Sequence, residues 1–214
     1  MDLLLTDIEV RVLGSLMEKS MTTPEYYPLS LNALTNACNQ KSNRDPVVSL
    51  DETTVVRALD NLREKQLVVL SASSRVQKYA EVFVATRKLV KREAALLTVL
   101  MLRGPQTVGE LRGRTERMYS FEDLGEVEAT LDELAESGYV TRLPRMAGCK
   151  ESRHAHLLSG NVEVEAEAAK PERPAIVVRR ENEKIAALEE ELQNLRDNLN
   201  TLRAAFEKFR KEFD

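Results

Sequence analysis

The sequence predicts an α+β protein in which one small unit of helices and a β hairpin occurs twice and a coiled-coil helix follows. Three patterns carry that expectation. The first is self-similarity: LDNLREKQLV at 59–68 returns as LDELAESGYV at 131–140, an offset of 72 residues. Leu13, Leu16 and Met17 match Leu97, Leu100 and Met101 at an offset of 84, and Leu31 and Leu34 match Val108 and Leu111 at 77. A recurring stretch of this kind marks a structural unit used more than once, here with two connections shortened in the second copy. The second pattern is periodicity, which within each copy reads helix, helix, helix, then hairpin, the order of a winged helix-turn-helix. The third is the unbroken spacing by threes and fours of Ile185, Leu188, Leu192, Leu195, Leu199, Leu202, Phe206, Phe209 and Phe213, the heptad repeat of a coiled coil. The expected organisation is a winged-helix domain over 1–86, a second over 87–160, a linker over 161–175 and a coiled-coil helix over 176–214.

In the first unit, Thr6 and Glu9 form a capping box that satisfies free backbone donors of the first turn. Ile8, Val12, Leu13, Leu16 and Met17 form the buried stripe of that helix. Pro24 and Pro28 stiffen the connection that follows, and Ser30 caps helix two. The polar run from Asn39 to Pro46 has too little apolar content for a core and reads as an exposed turn. Ser49 and Glu52 are a second capping box, opening a third helix with Val55, Leu59 and Leu62 inward. Strands near 67–70 and 76–84 then make a wing around 71–74.

The second unit repeats this plan. Leu96, Leu97, Leu100 and Met101 face inward on its first helix, which Gly104-Pro105 stops. Thr107 and Glu110 cap helix two, Ser120 precedes helix three, and Gly138 supplies the left-handed residue that ends it, a place that Gln66 takes in the first unit. Each unit is long enough to bury a modest core. After Gly160 the run NVEVEAEAAKPERPA, rich in Glu, Ala and Pro, reads as a linker. In the heptads, parallel packing sets Glu191 against Arg196 of a partner helix, whereas antiparallel packing sets Arg196 against Arg203, so charge favours a parallel homodimer. Docking of this helix on its own chain is the alternative.

Composition narrows the function classes. A net charge of -4 argues against indiscriminate coating of nucleic acid, so charge has to be read element by element. No apolar run approaches the roughly 18 residues of a membrane span, and MDLLLTDIEV lacks the plan of a secretion signal. The expected location is cytoplasmic, with no membrane partner. The two cysteines, Cys38 on an apolar helix face and Cys149 in a wing, read as thiols.

For DNA, turn and wing residues of a winged helix hold phosphates while helix three enters the major groove. The first unit offers Asn39, Gln40, Lys41, Asn43 and Arg44 in the turn, Thr53, Thr54 and Arg57 on helix three, and Arg75 and Lys78 on the wing. Against this stand Asp45, Asp51, Glu52 and Asp60, and the habit of Asn-rich turns of bonding their own backbone. Helix three of the second unit carries seven carboxylates between Ser120 and Gly138 and no Lys or Arg, so it would repel phosphate. Its wing concentrates Arg142, Arg145, Lys150 and Arg153, which could grip phosphates or pair with the acidic helix.

Cys149, His154 and His156 invite a zinc reading. It is rejected because no fourth ligand is in sequence reach and the two histidines, alternating on a strand, are expected on opposite faces. There is no glycine-rich phosphate loop, nucleophile elbow or dense cluster of His and carboxylates, so neither an enzyme nor a cofactor is expected. Two readings of function remain: a DNA-binding protein of transcription-regulator type dimerised through its C-terminal helix, or a non-enzymatic protein-protein adaptor working through the second unit.

The stretch TTPEYYPLSLNALTNACNQKSNRDPVVSLDETTVVRALDNLREKQLV closely resembles the signature of the YceH-like proteins, an uncharacterised bacterial family also known by a domain-of-unknown-function label. The second wing, LPRMAGCKESRHAHLLSG, resembles that family's second signature. The resemblance covers about residues 1–160 and implies a tandem winged-helix architecture without implying an activity. The C-terminal heptads lie outside its characteristic motifs.

Overall fold

A computed structural model describes residues 3–71, 77–145 and 151–160. The chain is α+β, and its described residues hold seven α-helices and two small sheets. Helix α1 (Asp7–Thr22) begins at the expected capping box: Thr6 Oγ1 accepts from Glu9 N at 3.3 Å, and Thr6 N donates to Glu9 Oε2 at 2.9 Å. A short 3-10 turn over Pro24–Tyr26 leads to strand β1 (Leu29–Ser30) and helix α2 (Leu31–Cys38), where the Ser30 hydroxyl accepts from Ala33 N. Helix α3 (Glu52–Glu64) follows, then β2 (Val68–Ser71) and β3 (Lys78–Glu81), which pair antiparallel. Strand β1 joins the other edge of β3, with Leu29 opposite Tyr79 and Ser30 opposite Lys78.

After α4 (Phe83–Thr86) the order returns as α5 (Lys91–Arg103), α6 (Val108–Thr115), α7 (Leu124–Glu136), β4 (Val140–Arg142) and β5 (His154–His156). The Thr107–Glu110 capping box is present on α6. Gln106 forms a single antiparallel bridge with His154, occupying the place that β1 holds in the first half. Gly138 at φ 75° and Gln66 at φ 57° both adopt the left-handed conformation that ends a helix. For glutamine this conformation carries a steric cost that glycine escapes.

Several expectations are corrected. Helix α3 is capped by Asp51, whose carboxylate accepts from Thr54 N at 2.8 Å, so Ser49 and Glu52 form no capping box. Helix α7, which Ser120 precedes as expected, is likewise capped by an aspartate, Asp123. Ile8 is 37% exposed, and Val10 takes its place in the core. The largest difference lies in α1 itself, where every residue from Glu9 to Glu18 is buried. A helix at the edge of a small unit buries one stripe. Helix α1 is enclosed all round because α2, α3 and α5 pack against it.

That packing gives both halves one continuous hydrophobic core, in place of the separate cores expected of each, and the described residues fall in one compact unit. Gly14 on α1 permits the close approach, since a Cβ there would lie 3.0 Å from Leu102 Cδ2 on α5. The seam is tied at three further points. Leu5 N donates to Leu158 O at 2.7 Å, Asp45 N donates to Leu102 O at 2.9 Å, and Phe83 meets Tyr139 edge-on with ring centroids 6.0 Å apart. Among the described residues no helix is long and apolar enough to cross a membrane. The heptad residues 185–213 lie outside the described residues.

Candidate nucleic-acid interface

Helix α3 turns Val55, Ala58, Leu59 and Leu62 into the core. Thr53 and Arg57, one turn apart, are therefore left exposed on its outer side. Thr54 is half-buried, and its side chain bonds the Asp51 carboxylate. That bond, the Thr54 backbone bond and the nearby Arg57 charge hold the Asp51 carboxyl below its usual value. Lys41 is exposed before the helix, and Lys78 is half-buried on β3 opposite Ser71. Arg75 lies outside the described residues.

The remaining turn residues each make a side-chain bond within the protein. Asn39 clamps the loop shut: its Nδ2 donates to Leu50 O at 2.8 Å and its Oδ1 accepts from Leu50 N at 2.7 Å. Gln40 Oε1 accepts from Lys19 Nζ at 3.3 Å. Asn43, at φ 59°, accepts from Arg103 Nη1 at 2.8 Å and so reaches across the seam.

Arg44 contradicts the sequence reading outright. It is 5% exposed, and its guanidinium grips Glu18 through two nitrogens at 3.2 and 2.7 Å while donating to Ala37 O at the end of α2. A guanidinium held this way cannot reach a phosphate. The run is an exposed turn as expected, except that Arg44 is buried within it and, with Asn43 and Asp45, fastens the loop to α1 and α5.

The second half divides its charges differently. On and just before α7, Glu122, Asp123, Glu128, Asp132, Glu133 and Glu136 are exposed, and Glu133 accepts from Arg92 at 2.8 Å. Arg142 and Arg145 are exposed on the hairpin side. Arg153 bonds Glu110 of α6 at 2.9 Å and Pro105 O at 2.8 Å, so its partner is not the acidic third helix. Lys150 and Cys149 lie outside the described residues. A cavity of about 490 Å³ opens between α6, α7 and the hairpin, lined among others by Leu124, Glu128, Asp132, Arg142 and His154.

The histidine expectation is corrected as well, because His154 and His156 stand two apart on β5 and residues so spaced share a strand face. Their surroundings still differ. Burial and Arg142 pull the His154 imidazole down, with Asp132 and Glu128 opposing, whereas burial alone pushes His156 down to about 4. Among the described residues no three His, Cys, Asp or Glu side chains are placed to hold a metal.

The sequence reading missed the arginines of the α6 region. Arg112 donates to Phe121 O and Glu122 O, pinning the turn that leads into α7, and Arg114 pairs with Glu110 at 3.4 Å. Arg117 is exposed. The run RGRTERM was visible as a local basic signal, overshadowed by the acidic helix after it.

The family model described as "Protein of unknown function, DUF480" matches residues 5–149. The chain is 56% identical over 217 residues to a UPF0502 protein of Solibacter usitatus (strain Ellin6076), with all of both chains covered. It is 54% identical over 219 residues to a UPF0502 protein of Geotalea uraniireducens (strain Rf4) and 53% identical over 219 residues to one of Geobacter sulfurreducens, again across the whole of each chain.

Proposed function

The chain belongs to the DUF480 family, and from its geometry we propose a cytoplasmic DNA-binding protein of transcription-regulator type. In this reading each half is a winged helix-turn-helix, and the first half makes the principal DNA contact. The observation that carries the proposal is the outer face of α3. Thr53 and Arg57 stand exposed there between an exposed Lys41 and the β2–β3 hairpin with Lys78. Arg57 can bond a guanine edge through two donors, while Lys41 and Lys78 add phosphate contacts. With Arg44 spent on Glu18, the phosphate-contacting set is smaller than the sequence suggested, and moderate affinity with a shallow salt slope is expected.

Replacing Lys41 and Arg57 together by Ala should weaken binding and reduce the logarithmic salt slope by roughly 0.9 for each phosphate that is no longer neutralised. Arg57→Ala alone should relax sequence preference by about 1 to 3 kcal/mol at one base pair. The measurement is a salt series of binding isotherms on sequences selected by the wild type. Identical isotherms for wild type and double variant would remove the first half from the DNA reading.

The C-terminal heptads supply the proposed dimer. Full-length protein should weigh as a dimer, and truncation after Lys170 should shift it toward monomer in light scattering. An unchanged mass would refute the coiled-coil role.

A second reading, an adaptor for proteins working through the second half, draws support from the cavity beside α7, where Glu128 and Asp132 on one wall meet Arg142 on another. An isolated acidic helix repels nucleic acid. Set against a basic hairpin, it offers a protein ligand both charges. Under this reading DNA binding survives the Lys41 and Arg57 changes, and partner capture depends on Asp132 and Arg142.

A further inference from the structure

A second cavity, of about 300 Å³, lies at the seam between the first turns of α1, the loop that leads to α3 and the end of α5. That volume is at the lower bound of small-molecule sites. Its walls are mostly apolar: Ile8, Val10, Pro46, Val48, Leu50 and Met101. Two polar side chains also line it, Arg11 buried and His156 half-buried, and each has a buried atom without a partner. Arg11 is 6% exposed and forms no ion pair among the described residues; its Nη2 donates to Pro46 O at 2.7 Å, while its Nη1 is enclosed and has no hydrogen-bond partner. His156 leaves a buried Nδ1 unpartnered in the same lining.

A buried guanidinium donor without an acceptor costs free energy, and an acceptor brought by a bound molecule would remove that cost. Arg44, the other cation buried against α1, has both of its Glu18 bonds, so the mismatch belongs to Arg11. The natural complement of a guanidinium is a carboxylate. Two further carboxylates bear on the choice. Asp7 and Asp45 are both exposed and both line the cavity; Asp45 acts through space on Arg11, and Asp7 acts on His156. A ligand that was only an anion would meet their repulsion, whereas one that also carried an ammonium group would be drawn to them.

We propose that this cavity binds a small apolar amino acid as its zwitterion, the carboxylate on Arg11, the ammonium toward Asp45 and Asp7, and the side chain against the apolar walls. The loop that would close over it ends at Leu50 and Asp51, the cap of α3, so occupancy would brace the helix assigned to DNA. Only that regulatory consequence rests on the DNA-binding reading. The binding itself is measured without DNA, so the two can fail separately.

The test is calorimetric titration of the full-length protein with leucine, valine and methionine, and with two analogues of leucine: isocaproate, which lacks the amine, and leucinamide, which lacks the carboxylate. At least one of the three amino acids should bind, and both analogues should bind about fivefold more weakly than leucine or worse. Asp45→Asn, a change at an exposed position, should weaken leucine about threefold and shrink its advantage over isocaproate. Arg11→Met should weaken it tenfold or more. Because Arg11 also holds Pro46, Val48→Trp serves as a second variant that fills the cavity and leaves Arg11 in place; it should abolish binding while thermal melting reports an intact fold. Absence of binding by all three amino acids up to about 10 mM would overturn the proposal. So would binding that persists in Val48→Trp, and equal binding of leucine and isocaproate would overturn the amino-acid class.

Discussion

Arg44→Ala should cost about 3 kcal/mol of folding stability, the low end for a broken buried pair, because it leaves Glu18 beneath the seam with only its 3.4 Å contact to Lys19. Glu18 is 8% exposed and the Arg44 side chain is fully buried, so water cannot take over the missing bonds. Urea unfolding of the variant at neutral pH gives the number, and a loss under about 1 kcal/mol would contradict the assignment of Arg44 as a staple. Replacing both partners by leucine should recover part of the loss. The recovery is incomplete because Ala37 O, which accepts from two Arg44 nitrogens, stays unsatisfied.

Acid should affect the wild type in a particular way. Burial pushes the Glu18 carboxyl up, but the hydrogen bonds and charge of Arg44 more than offset it, leaving it below its ordinary value of 4.5. A carboxyl depressed in the folded state contributes fully above its unfolded value and loses that contribution as pH falls through the folded one. The gap between wild type and Arg44→Ala should therefore be widest at neutral pH and close below about 4.5. Because the variant unfolds more readily, a loss of DNA binding in it would say nothing about phosphate contact.

Gly14→Val should be the most damaging small change at the seam. A Cβ alone would sit 3.0 Å from Leu102 Cδ2 and 3.2 Å from Met101 Cβ, and valine adds two methyl groups in that gap. Overpacking of this kind costs about 1 to 3 kcal/mol and outweighs the gain of roughly 0.5 kcal/mol or less in helix propensity. Since α1 and α5 belong to one core, the loss should spread to both halves. Hydrogen exchange should show protection falling in α3 and α7 together. Protection retained by α7 while α3 loses it would show that the halves unfold independently.

What the sequence made legible was what adjacent residues decide. The capping pairs Thr6 with Glu9 and Thr107 with Glu110, the left-handed Gln66 and Gly138, and the inward faces of α3 and α5 all rest on spacings within a turn or two. What stayed hidden depends on distant partners. Glu9, Arg11 and Glu18 have the look of surface residues, and they are buried because Lys65, Pro46 O and Arg44 reach them from 56, 35 and 26 residues away. The same long-range pairing removed Arg44 from the candidate site. Strand β1, two residues long, carries no alternation to read.

The bond between Leu5 N and Leu158 O brings together two points near the ends of the compact unit, and this has a bearing on synthesis. Helix α1 leaves the ribosome before α5, and its α5 face stays uncovered until residues 91–103 have emerged, while the clasp cannot close until Leu158 has been added. At about 5 to 20 residues per second, the 136 residues from Thr22 to Leu158 take roughly 7 to 27 seconds. During it the apolar flank of α1 is open to chaperones and to wrong partners. A slow-codon or stalled-chain experiment would find the nascent first half sticky, and its solubility restored only when the second half arrives.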